Sequence, residues 1–139
     1  MGIKWIKSIT YVNIEWEWIG VKDMWMFRVF LFGIILVVGA YTAPVLMNYG
    51  LLVLLPNFFG EMSQFNWQGQ FNLDFLMFLL MSGFWIAWRN QFSLLGVLLG
   101  IGGVFLGAPY LAAYLLYLSF HAKADFSAML LGERIDKSW

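Results

Sequence analysis

The chain reads as an all-α integral membrane protein, with about three transmembrane helices behind an N-terminal amphipathic interfacial helix. Three observations predict this. No Asp, Glu, Lys or Arg occurs from Val29 to Gly60, nor again from Asn90 to Ala122, and a helix needs only about 20 predominantly apolar residues to cross the hydrocarbon core of a bilayer. Charged residues make up 12% of the sequence and hydrophobic ones 62%, against about 25% and about half in a soluble domain. A water-facing surface built from that mixture would carry large apolar patches that aggregate, whereas lipid matches them.

Composition excludes some function classes. The formal net charge is zero, which gives no electrostatic case for a nucleic-acid partner. The absence of cysteine removes disulfides, thiolate metal sites and a cysteine nucleophile. The small residues of Val38 to Ala43 look like a signal-peptide cleavage region. About 24 residues of charged, Trp-rich sequence precede the apolar run, too many for a signal peptide's short basic start, so the first run reads as a retained helix.

The elements follow in order. Over residues 1–24, Trp5, Ile9, Val12, Trp16 and Ile19 recur at steps of four and three, with Lys4, Lys7, Ser8, Tyr11 and Glu15 on the neighbouring side. This predicts a helix lying in the interface. The competing reading is a strand over Ile14 to Trp18, where the pattern alternates. The transmembrane domain covers 25–120. Its first crossing is predicted at 25–47, with Trp25 as anchor, Arg28 snorkelling toward headgroups and Pro44 kinking or ending the helix. Residues 51–59 are too short to span and read as re-entrant or interfacial, with Glu61 to Gln70 a polar connection. A second crossing at 71–88 has Asp74 in its first turn and Arg89 at its last, each suited to the helix dipole, with Trp85 and Trp88 marking one interface. The third, at 92–120, would measure roughly 43 Å as one helix, too short for two spans, so a single tilted or kinked helix is expected with its kink at Pro109. Residues 121–139 form a short polar tail. Lys4, Lys7, Lys22, Arg28 and Arg89 on one side, against Lys123, Arg134 and Lys137 on the other, favour an N-terminus in the cytoplasm. A fourth span near Leu46 to Phe59 is the alternative topology.

Gly96, Gly100, Gly103 and Gly107 fall at steps of four, three and four, on one helix face. Small residues at this spacing let helix backbones approach closely in lipid. They serve either a dedicated partner interface or, as preferred here, packing within the chain, with Gly39 and Ala43 or Ser82 and Gly83 as counterparts. Asp74 is the candidate for an ion path, weighed against plain anchoring at a helix end. His121, the one histidine, is the candidate ligand for haem or a chlorophyll-type pigment, weighed against a solvated histidine at a helix C-terminus. No phosphate loop, metal-ligand cluster or nucleophile elbow is present.

Asn57-Phe58-Phe59-Gly60-Glu61, Asn72-Leu73-Asp74, Trp85-Ile86-Ala87-Trp88-Arg89 and Leu130-Leu131-Gly132-Glu133-Arg134 together resemble small uncharacterised bacterial multi-span membrane proteins of the domain-of-unknown-function type. The resemblance covers a little over half the chain and implies a bacterial membrane location. The expected function is an accessory or scaffolding subunit of a larger membrane complex, respiratory or photosynthetic, that acts by helix packing and is not an enzyme. Its partners would be lipids and other subunits or a second copy. A self-associating channel or small transporter is one alternative, and a pigment-binding light-harvesting subunit is another.

Overall fold

A computed structural model describes the backbone of residues 2–122 and 125–132, and the side chains of 24–122 and 125–132. Its elements are five helices: α1 (Gly2–Tyr49), α2 (Leu54–Ser63), α3 (Trp67–Arg89), α4 (Leu94–His121) and α5 (Phe126–Leu131). No strand occurs among the described residues, so Ile14 to Trp18 is helical. Three of the helices, over Met24–Tyr49, Trp67–Arg89 and Leu94–His121, are long and apolar enough to cross a membrane.

α1 runs unbroken from Gly2 to Tyr49, so residues 2–23 continue straight into the first apolar stretch. The side chains of Trp5 and Trp16 lie outside the described residues. Pro44 sits inside α1 without ending it. The helix stops at Gly50, whose φ of 73° suits a residue with no Cβ. Residues 51–59 are largely taken up by α2, with Pro56 in its first turn, where the missing N–H has no helical partner to lose. The link to α3 shrinks to 64–66. Asn66 caps α3, its side chain accepting from Gly69 N at 2.7 Å. Asp74 is therefore not in the first turn but two turns along, because capping by Asn66 starts the helix earlier than hydropathy suggested.

α2 lies across the start of α3. Asn72 Nδ2 donates to Phe58 O at 3.0 Å, and Gly69 lets the backbone of Glu61 and Met62 come into direct contact.

α4 departs most from expectation. Gly107, with φ 67° and ψ −148°, is not helical and divides α4 into limbs at 94–106 and 108–121. The first limb runs antiparallel to α3, with Gly96 against Asn90, Gly100 against Gly83 and Ala87, Gly103 against Ile86, and Gly107 beside Leu79 and Phe75. The second limb returns. Asn90 Nδ2 donates to Tyr114 Oη at 2.8 Å, and the Trp85 and Tyr114 rings are 6.1 Å apart. In a continuous helix Gly96 and Tyr114 would be separated by roughly 27 Å, yet both touch Asn90. The break comes at Gly107 rather than at Pro109, which begins the returning limb, where proline's fixed φ is favourable. α5, capped by Asp125, folds back on the same end, with Phe126 packed edge-on to Phe27 at 5.5 Å.

Candidate functional site

One of the two polar clusters lies at the end of the bundle where both limbs of α4, the end of α3 and α5 meet; the other joins α2 to the start of α3. The turn from α3 into α4 places Gln91 and Phe92 at φ 57° and 53°, an uncommon conformation for residues with a Cβ. Hydrogen bonds from Phe92 N to Ala87 O (2.8 Å) and from Ser93 N to Asn90 O (3.1 Å) hold it. Ser93 then caps α4.

Arg89 is half-buried and reaches across this turn. Its Nε donates to Met129 O at 2.7 Å, with longer contacts from Nη2 to Ala128 O and from Nη1 to Tyr114 Oη. Arg89 lies in the last turn of α3, where it was expected to suit the helix dipole, and the carbonyls at the end of α5 take its donors as well, which tethers α5. Gly132, at φ 62°, fits against the guanidinium, where a Cβ would sit 3.3 Å from Cζ.

Arg28 was expected to snorkel to headgroups. It turns inward, donating from Nε to Ser119 Oγ (3.0 Å) and from Nη2 to Ser119 O (2.7 Å), while its Cζ lies 4.2 Å from the Phe120 ring centroid. Ser119 is fully buried and its hydroxyl donates to Leu116 O at 2.7 Å. A charged donor held this way keeps its hydrogen bonds without leaving the protein.

The glycine seam joins α3 to α4. A Cβ on Gly83 would lie 2.6 Å from Gly100 O, and one on Gly100 would lie 2.5 Å from Gly83 O. Gly96, Gly100 and Gly103 are buried, and Gly107 forms the break beyond them. Of the suggested counterparts only Gly83 meets the seam. Gly39 has nothing within 4 Å, Ala43 is exposed, and Ser82 bonds its own helix at Leu79 O.

Two cavities flank these contacts. One, about 710 Å³, is lined by Arg89, Asn90, Ser93, Leu118, His121 and Ala122 among others. His121 is exposed; its Nδ1 lies 3.1 Å from Tyr117 O, and its ring is tilted over Tyr117 at 4.0 Å. The other cavity, about 470 Å³, lies toward the opposite end, between Tyr49, Asn57, Glu61, Gln68 and Asn72. Asp74 is exposed on α3 and joins neither. Of the proposed anchors, Trp25 is exposed and Trp85 and Trp88 are half-buried. No group of three or more His, Cys, Asp or Glu side chains is placed to hold a metal among the described residues.

Tyr114, Ser119 and Asn66 make contacts that the reading of the sequence missed. Asn66 was legible as a capping residue three positions before Gly69. Tyr114 and Ser119 were not, because their partners lie far away along the chain. No protein-family model, curated protein or solved structure matches this chain.

Proposed function

We propose that the protein is an accessory or scaffolding subunit of a larger membrane complex, acting by helix packing rather than by catalysis. We also propose that it resides in a bacterial cytoplasmic membrane with its N-terminus in the cytoplasm. One observation supports the packing role above the others. The far half of α1 has almost no partner in its own chain, with Val37, Tyr41 and Met47 exposed at 71%, 76% and 87%. Among the described residues the buried hydrophobic ones are few, namely Met24, Leu31, Ile86, Ala87, Ala112, Leu118 and Met129. A helix so little used within its own chain is well suited to packing against other subunits. Extraction from the native membrane in mild detergent should yield a stoichiometric complex with other membrane proteins. A lone monomer at every stage would contradict the reading.

The break in α4 favours a second reading, a self-associating channel or small transporter. Interrupted helices at membrane depth line substrate paths in many transporters. In that case Asp74→Asn should abolish flux in liposomes, and unchanged flux would dispose of it. A pigment or haem held by His121 would give visible absorption bands in the native protein, lost in His121→Ala.

A further inference from the structure

α4 has the length and hydropathy of a membrane span, yet its two ends lie together. Ser93 before its first residue and Leu118, His121 and Ala122 at its last turn line one cavity. Continuous helix would hold Ser93 and Leu118 roughly 38 Å apart. Arg28 at the start of the first apolar stretch bonds Ser119 near the end of α4, while Arg89 and Asn90 at the end of α3 bond Tyr114. The start of α1's apolar stretch, the end of α3 and both ends of α4 therefore share one level of the bundle.

We infer that α4 is a re-entrant hairpin that enters and leaves the bilayer on one side. The chain then crosses twice, at Met24–Tyr49 and Trp67–Arg89, and the segments before Met24 and after His121 share a membrane face. Each limb of α4 extends about 20 Å, short of a core about 30 Å thick. The tip at Gly107 to Pro109 stops beside Leu79 and Phe75, part-way along α3. Non-helical backbone at that depth is tolerated where protein covers it or it lines a water-filled cavity; Gly107 is half-buried, with the side chains of Leu79 and Phe75 3.5 and 3.8 Å from where its Cβ would be.

The distribution of charge in the sequence supports the same topology independently. With three crossings, Lys4, Lys7, Lys22, Arg28 and Arg89 fall on one side and Lys123, Arg134 and Lys137 on the other, five against three. With two crossings and a hairpin, all eight fall on one side, and the segment between Tyr49 and Trp67 carries none. A complete bias of short flanking segments is the pattern that sets membrane orientation. The polar cluster of Arg89, Asn90, Ser93, Tyr114 and His121 then lies at the mouth of the hairpin, level with headgroups and water.

The chain has no cysteine, so single-cysteine variants of the full-length protein report sidedness without background. Ser8→Cys, Gln64→Cys and Ser127→Cys would be treated with a membrane-impermeant maleimide in sealed cells and again after lysis. The hairpin requires Ser8→Cys and Ser127→Cys to behave alike and Gln64→Cys to behave oppositely; with the N-terminus in the cytoplasm, the first two are protected in sealed cells and Gln64→Cys is labelled. Labelling of Ser127→Cys together with Gln64→Cys, and opposite to Ser8→Cys, would overturn it. An epitope tag after Trp139 in the otherwise unaltered chain gives the same readout by protease protection. A tag digested from outside while the N-terminus is protected overturns the inference equally.

Discussion

At the scale of single residues the structure depends on small groups in tight places and on two arginines turned inward. Gly83 and Gly100 meet backbone to backbone, so a side chain on either must force the helices apart. Gly83→Val or Gly100→Val should lower stability by about 1–3 kcal/mol, measured by unfolding in mixed micelles, whereas Gly39→Ala, with open space around it, should change nothing. Equal effects at Gly39 and Gly83 would contradict the seam. Arg28→Gln and Ser119→Ala should be coupled in a double-mutant cycle by about 0.6 kcal/mol, the average for hydrogen bonds between membrane helices, and by no more than about 1.7 kcal/mol. Strictly additive losses would mean that the contact contributes nothing. The glycine spacing was legible because periodicity defines a face, but periodicity does not name the neighbour. The protein partners of Arg28 and Arg89 were missed for a related reason. Sequence locates a charge near a membrane boundary, where lipid is the default partner, while Ser119 is 91 residues from Arg28.

At the scale of elements the decisive feature is the reversal in α4. Any residue with a Cβ at Gly107 must adopt φ 67° and ψ −148°, a region essentially reserved for glycine and costing about 1–3 kcal/mol, so Gly107→Val should destabilise the protein by about that much. Pro109 discriminates between two geometries. As an early residue of a separate limb it gives up no hydrogen bond, and Pro109→Ala should alter stability by less than about 1 kcal/mol. Inside a continuous kinked helix the same change would relieve a strain of about 3 kcal/mol, and a gain of that size in a micelle unfolding titration would rule out the hairpin. The punctuation was visible in the sequence, since Pro109 marked the right neighbourhood. The reversal was hidden because a length judged too short for two full spans was assigned to one, and two half-length limbs leave the same hydropathy trace. The α2–α3 boundary moved for a simpler reason: Asn66 starts a helix on its own chemistry, whatever the hydropathy of the residues that follow.

At the scale of the whole molecule, the all-helical membrane architecture was fully legible, because it rests on composition and on runs free of charge, which no tertiary contact can alter. What was not legible is how the rods are arranged, since that depends on pairs such as Asn90 with Tyr114 and Arg89 with Met129. The arrangement leaves α1 largely unpartnered over its second half and gathers the polar contacts of α4, α5 and the end of α3 at one end. It suits a subunit anchored at that end and open to neighbours along the rest of α1. The measurement that tests this most directly is the distance between spin labels at Leu95→Cys and Tyr117→Cys, both exposed, in lipid nanodiscs. The folded-back α4 predicts a dominant population well short of the roughly 33 Å that 22 residues of continuous helix impose. A single distribution centred at or beyond that longer distance would contradict the account.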